Sequence, residues 1–176
     1  MSEIYDSRED TKDHIAMVKN YMDTICLELC ARAVAHDASK LEEPEVSVFD
    51  RVTPRLNGLT YGSKEYVDSL AEMGEALTHH YANNRHHPEH HVSHVIGMKV
   101  PEGIHAMNLV DVIEMFCDWC AATLRHEDGD ICESIDKNKD RFGYGNTLAC
   151  LFANTAQDFS MGKGGHRAYA KQEWLP

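Results

Sequence analysis

Hydrophobic residues recur at helical spacing in four segments of this chain, and convincing period-two alternation is absent. Residues 11–36 form the longest segment, with apolar positions at Ile15, Val18, Met22, Ile25, Leu29 and Ala33. Residues 64–83 carry a second stripe, and residues 108–125 and 146–159 carry a third and a fourth. The pattern therefore predicts an all-α fold built from amphipathic helices.

Prolines and glycines interrupt the chain between these segments. Residues 37–63 contain Pro44, Pro54, Gly58 and Gly62, which leaves room for one short helix at 43–52. Pro88 stops any helix in the polar loop around it. The Gly-rich start of residues 161–176 predicts an irregular tail. We expect a single domain over residues 1–176, with a core of about 11–160.

The chain is strongly acidic, with a formal net charge of −12. This charge argues against a nucleic-acid polymer as partner, because phosphate backbones need Lys/Arg-rich surfaces. A small anionic ligand fits only if metal ions or a few local cations offset the acidic field. No apolar run reaches the ~18 residues that span a bilayer, and the polar N-terminus is not a secretory signal. We expect a cytoplasmic protein without a membrane partner.

Six cysteines in such a chain should be reduced. The "CDWC" stretch places Cys117 and Cys120 inside the third predicted helix. Core packing is therefore favoured over a metal or redox role.

Seven of the twelve histidines lie between Leu77 and His94, in "LTHHYANNRHHPEHHVSH". Metal sites usually combine ligands from several elements, so partners must come from elsewhere. The dipeptide His36-Asp37 in "AHDASKL" offers a nitrogen and an oxygen, a mixture that divalent transition metals accept. His14 lies 22 positions before His36, which is ~33 Å along a straight helix. Either the chain turns back between them or they do not share a site.

The third helix carries an acidic stripe on an apolar background. Asp111, Glu114 and Asp118 follow at i, i+3 and i+7, which places them on one face. Carboxylates buried in such a helix must be paired, hydrogen-bonded or metal-bound. The alternative is that the stripe faces solvent.

The order His, His-Asp, His, His, Asp resembles the HD-domain superfamily of metal-dependent phosphohydrolases. "HDASK" resembles its His-Asp block, "NRHHPEH" its later histidine block, and "EMFCDWCAAT" its closing Asp helix. A closer likeness, over residues 14–155, is to an uncharacterised HD-like family common in bacteriophages. The resemblance implies an all-α bundle with metals at its centre.

The resemblance also implies a ligand set for one or two divalent ions among Mn, Fe, Co, Zn and Mg. The implied ligands are His14, His36, Asp37, His80, one of His86 and His87, and Asp118 with Asp111 as the alternative. His90, His91 and His94 are expected in a solvated loop, and Glu89 could orient a metal-binding histidine.

The implied chemistry is attack by a metal-activated water. Asp37 is the expected bridging carboxylate, and Glu114 is a further catalytic candidate. Lys40 follows Asp37 by one helical turn and can reach a phosphate. Further substrate contacts are expected from His79, Arg85 and Arg125.

The leading function is hydrolysis of a phosphate ester or anhydride in a nucleotide-like small molecule. Two alternatives stay open: a di-iron oxygenase of the HD type, and a non-catalytic phage protein that binds a nucleotide or a host protein. A phage-encoded chain would act in the host cytoplasm. Assembly into a homo-oligomer also stays open, because many HD-like proteins assemble.

Overall fold

The computed structural model describes residues 5–56, 58–60, 63–91, 102–125 and 127–166. None of these residues lies in a β-strand, so the predicted all-α class is confirmed. The helices are α1 (Arg8–Ala35), α2 (Val46–Leu56), α3 (Lys64–Ala71), α4 (Gly74–Asn83), α5 (Leu109–Thr123), α6 (Ile131–Phe142) and α7 (Asn146–Phe159). Short 3₁₀ turns lie at Ala38–Leu41, Pro88–His90 and Gly103–Ala106.

The chain divides into two compact units, Met1–His36 and Asp37–Pro176. The described part of the first unit is dominated by α1, an unbroken helix of 28 residues in which no residue is buried. Its position confirms the helix predicted at 11–36. The organisation as one domain stays a prediction. Of the described helices, none combines the length and apolar character that crossing a bilayer requires.

The second unit has its main hydrophobic core among α5, α6 and α7. The Phe116 ring of α5 stacks on Phe152 of α7 with centroids 4.9 Å apart. Ile131 and Ile135 of α6 are fully buried in the same cluster. Cys120 also lies in this core, as predicted for "CDWC", whereas Cys117 is exposed.

The helix predicted at 64–83 is wrong as a single element. Two helices, α3 and α4, occupy this range because Gly74 adopts a left-handed backbone conformation with φ of 44°. That conformation is open to glycine and interrupts a continuous helix. The short helix predicted at 43–52 is present as α2, shifted toward the C-terminus.

Helix α6 was not predicted from the pattern. Asp130 caps its start, accepting hydrogen bonds from two backbone N–H groups, and Gly143 ends it at φ of 69°. Both are ordinary helix signals, but the charged sequence between them hides the apolar stripe. The structure describes residues 161–166 of the predicted tail. They contact the rest of the second unit through Lys163, whose backbone N–H donates to Thr123 Oγ1 at 2.8 Å. Residues 167–176 lie outside the described residues.

Candidate metal centre

Asp37 begins the second unit in an unusual backbone conformation. Its φ of 56° and ψ of 14° lie in the left-handed region, which few non-glycine residues occupy, aspartate among the more tolerant. Backbone conformations of this kind cluster at functional sites. The two carboxylate oxygens of Asp37 have different neighbours. Oδ2 accepts a hydrogen bond from Lys40 Nζ at 2.6 Å, and Oδ1 faces histidines.

Three histidines converge on this carboxylate. His80 Nε2 and His86 Nε2 lie 3.4 Å and 3.5 Å from Asp37 Oδ1, and His87 Nε2 lies 2.9 Å from His80 Nε2. Ligand atoms of all four residues lie within 4.8 Å of one another. Four ligands at ~2.1 Å from a tetrahedral ion stand about 3.4 Å apart, so the spacing suits one transition-metal ion.

Local structure explains how three histidines meet. His80 occupies the last turn of α4, and Asn84 then adopts an extended conformation that ends the helix. His86 and His87 follow in the turn before Pro88, which opens a short 3₁₀ segment. The chain thus folds back on the end of α4. It brings the rings of His80 and His87 into contact although the two residues are seven positions apart in sequence.

Burial favours the neutral form of His80 and His87, which is the form that binds metals. His80 and His86 are each 1% exposed. Burial lowers the pKa of His87 to about 2, with smaller contributions from the neighbouring His86 and His80. The pKa of His80 is also lowered, first by burial and then by the charge of Lys40.

Two carboxylates contact the Nδ1 atoms of two of these histidines, on the side of each ring opposite Nε2. Glu114 Oε1 lies 3.2 Å from His86 Nδ1, and Glu45 Oε2 lies 2.9 Å from His80 Nδ1. Burial would raise the pKa of Glu45, but hydrogen bonds from His79, Ser39 and His80 lower it overall. Glu114 was predicted as catalytic, and that role stays a prediction beside its contact with His86 Nδ1. Glu45 was missed, because an acidic residue beside Pro44 in "EEPEV" carries no signal of burial.

A cavity of about 640 Å³ adjoins the cluster. Lys40, His80, His87 and Asp118 form part of its wall. The other lining side chains include aromatic and aliphatic groups and a few cations, among them Phe49, Tyr66, Leu70, Trp119, Arg125, Lys137 and Arg141. Two members of the histidine cluster, His80 and His87, therefore border the cavity.

Asp118 has a place at this site. It lines the cavity, and one of its carboxylate oxygens lies within 4.8 Å of an oxygen of Asp37. It does not belong to the group of four ligands, so its role as a ligand stays a prediction. Lys40 and Arg125, predicted to bind substrate, both line the cavity.

Asp111 and Arg85 were assigned wrongly. Asp111 is fully buried and receives two hydrogen bonds from Arg85, Nε to Oδ1 at 3.1 Å and Nη2 to Oδ2 at 3.0 Å. Asp111 also forms a capping box with Asn108 at the start of α5. The Asp111 carboxylate therefore stabilises the fold and belongs to none of the groups of described residues that could hold an ion, and it holds the Arg85 guanidinium.

Other predicted contacts also differ. His79 was predicted to contact substrate. Its Nδ1 lies 2.7 Å from Glu45 Oε1, and His79 is not among the described residues that line the cavity. Glu89 pairs with Arg141 instead of orienting a histidine. His90 and His91 are half-buried, with ring nitrogens 3.0 Å from backbone carbonyls, so the solvated loop is wrong for them. His94 lies outside the described residues.

His14 cannot share an ion with His36. Both belong to the first unit, and the unbroken α1 between them keeps them ~33 Å apart. The chain does not turn back, so His14 as a ligand beside His36 is wrong. His36 is the residue after α1 and directly precedes Asp37 in sequence. Its role as a ligand stays a prediction.

Comparison with known proteins yields a family but no activity. A family model described as a family of unknown function (DUF5662) matches residues 3–159. No curated protein and no solved structure matches the chain.

Proposed function

Since the chain belongs to that family of unknown function, we propose from its geometry that it is a metal-dependent phosphohydrolase acting on a small phosphorylated molecule. One observation carries the proposal. Asp37, His80, His86 and His87 bring four ligand atoms within 4.8 Å of one another, and part of this cluster borders a cavity that Lys40 also lines. The likeness to the HD-domain superfamily stays a prediction beside it.

Three imidazoles and one carboxylate favour Zn, Fe, Co or Mn over Mg, which prefers oxygen ligands. A divalent ion held here supplies a Lewis acid that makes water nucleophilic near neutral pH. His36, next to Asp37, and Asp118, near it, are the proposed additional ligands.

The remaining residues of the site bind and orient substrate in this proposal. Lys40, held 2.6 Å from Asp37 Oδ2, can neutralise a phosphoryl oxygen close to the ion, and Arg125 adds a second cation in the cavity wall. The 640 Å³ cavity lies in the range that drug-sized ligands occupy, which suits a nucleotide. The net charge of −12 favours such a ligand over a polymer. The cytoplasm, or a host cytoplasm for a phage protein, is the proposed location.

Metal content and metal-linked stability test the first half of the proposal. At a metal concentration 100-fold above Kd, binding adds about 2.7 kcal/mol of stability, which raises Tm by about 5–10 °C in a chain of this length. His86→Ala should lose this rise and the bound metal. His105→Ala, at an exposed histidine of the same unit, is the matched control and should keep both. Equal metal binding in the two variants would refute the site.

A nucleotide panel with each loaded metal tests the second half. Phosphate release from the wild type, and none from Asp37→Asn, is the expected result. Substrate-dependent O₂ consumption with two bound irons would instead establish an oxygenase. A loaded protein that binds a nucleotide without turnover would establish a binder.

A further inference from the structure

Glu45 is a buried carboxylate with three hydrogen-bonding neighbours. The residue is fully buried and stands directly before α2. Its Oε1 lies 2.7 Å from His79 Nδ1 and its Oε2 lies 2.9 Å from His80 Nδ1, while the Ser39 side chain hydrogen-bonds to the same carboxylate. Because an ionised carboxylate only accepts hydrogen bonds, both imidazole nitrogens that face it must carry the hydrogen.

We propose that Glu45 is a positioning residue that fixes the tautomer and ring orientation of His80, so that its Nε2 lone pair points into the four-residue cluster. A neutral imidazole has one N–H. With the hydrogen on Nδ1 toward Glu45, His80 Nε2 is left as the electron-pair donor. That Nε2 is the atom 3.4 Å from Asp37 Oδ1 and 2.9 Å from His87 Nε2. The inference rests on the proposed function for the identity of the ligand, a divalent metal.

Competing contacts at His80 Nδ1 agree with this assignment. Asn84 Nδ2 lies 3.0 Å from the same nitrogen, but its two hydrogens have better acceptors, Ser39 Oγ and the His80 carbonyl, each at 2.8 Å. Ser39 Oγ also lies near this nitrogen, but at 3.5 Å, so the shorter contact of 2.9 Å to Glu45 Oε2 is the one to which Nδ1 donates. It follows that the hydrogen shared between His80 Nε2 and His87 Nε2 in the metal-free protein belongs to His87.

The two carboxylate oxygens of Glu45 accept hydrogen bonds from two consecutive residues of α4, His79 and His80. Consecutive side chains on a helix point about 100° apart, and the two carboxylate oxygens span that gap between His79 and His80. A glutamine of the same size cannot replace this arrangement, because its amide offers one accepting oxygen and one donating nitrogen. In Glu45→Gln one of the two imidazoles must present a bare nitrogen or turn away.

Glu45→Gln tests the inference, with Glu43→Gln as the matched control. Glu43 is an exposed glutamate two positions earlier, and it accepts a hydrogen bond from Ser47. Long-range ¹⁵N–¹H NMR of the metal-free full chain should show His80 protonated at Nδ1 in the wild type and in Glu43→Gln. In Glu45→Gln the amide oxygen can face only one of the two rings at a time, so the His80 signal should move to a mixture of both tautomers as the amide takes both orientations. Zinc and cobalt titrations should give a Kd 10–100-fold weaker in Glu45→Gln, as expected for removing such a partner, and unchanged in Glu43→Gln.

The measurements separate this inference from the proposed function. A wild-type His80 protonated at Nε2 overturns the inference even if Glu45→Gln does not fold, and so does a Kd for zinc within twofold of wild type in folded Glu45→Gln. A lower Tm with the wild-type tautomer and Kd would assign Glu45 a purely structural role and overturn it as well. If the tautomer changes as expected but the wild type binds no metal, the positioning by Glu45 stands and the proposed metal function fails.

Discussion

Removal of the Arg85 side chain should destabilise the second unit without affecting the candidate metal site. Arg85 makes two hydrogen bonds to Asp111, at 3.1 Å and 3.0 Å. The Asp111 side chain is fully buried, whereas that of Arg85 is 46% exposed. Arg85→Ala would thus remove the guanidinium from a buried carboxylate that keeps the Asn108 backbone N–H at 3.0 Å and has His91 Nε2 at 3.7 Å.

The magnitude follows from which partner is buried. Breaking a fully buried ion pair costs about 3–5 kcal/mol, and hydrogen bonds to charged groups contribute about 1.5–3 kcal/mol. Water reaches the Arg85 side of this pair, so we expect a loss of about 2–3 kcal/mol. For a chain of this length that lowers Tm by about 5–10 °C. Asp111→Asn combined with Arg85→Ala should cost less than the sum of the two single changes, because they remove the same interaction.

Urea unfolding of the four proteins in this cycle measures the free energies. Arg55→Ala is the control, because Arg55 also pairs with a carboxylate, Glu72, but about half of each side chain is exposed. Such pairs contribute about 0–1 kcal/mol. The reasoning is refuted if Arg85→Ala costs no more than Arg55→Ala. If Arg85→Ala loses metal binding but keeps its stability, Arg85 and Asp111 would have to be assigned to the functional site.

Three further predictions concern the core and its edges. Burial raises the pKa of Cys120 to about 12, so at pH 8 only roughly 1 in 10,000 of its thiols is ionised. Alkylation followed by mass spectrometry should therefore label the exposed Cys26 long before Cys120. Met115→Ala, at a residue 1% exposed, should lower the free energy of unfolding by about 2–5 kcal/mol in urea. Gly143 and Gly162 share a φ of 69°, but a Cβ at Gly162 would meet atoms of α5 and α6 at 3.1–3.3 Å while one at Gly143 meets none within 4 Å. By thermal unfolding Gly143→Ala should cost about 1–2 kcal/mol and Gly162→Ala more; equal costs would contradict the packing argument.

The sequence predicted those helices whose apolar spacing is regular. The segment 146–159 was placed correctly because apolar residues recur throughout it. Helix α6 was missed because its interior is mostly charged and its burial depends on Ile131 and Ile135. The division of 64–83 into two helices depends on the conformation of Gly74, and a single glycine within a helical pattern is compatible with either outcome.

Sequence alone singled out residues that the structure brings together, but it did not separate those whose role depends on a partner from another segment. Residue type and order predicted a metal site at His80, one of His86 and His87, and Asp37, and the structure brings these four residues within reach of one ion. Asp111 and Asp118 lie on the same face of α5, so spacing could not distinguish them. The distinction comes from Arg85, which reaches Asp111 from a different segment, a pairing that no local pattern reveals.

The candidate metal cluster depends on contacts that hold the end of α4 against the 3₁₀ turn after Asp37. Asn84 donates to Ser39 Oγ across 45 residues of sequence, and Glu45 hydrogen-bonds to both segments. The unfolded chain has no preformed set of ligands, so the free energy of binding an ion at this cluster would appear as stability of the folded second unit. Asn84→Ala would remove no ligand but would release the end of α4. Its Kd for metal should therefore weaken together with the local stability, whereas loss of a ligand such as His86 should weaken the Kd far more than it lowers the stability of the metal-free protein.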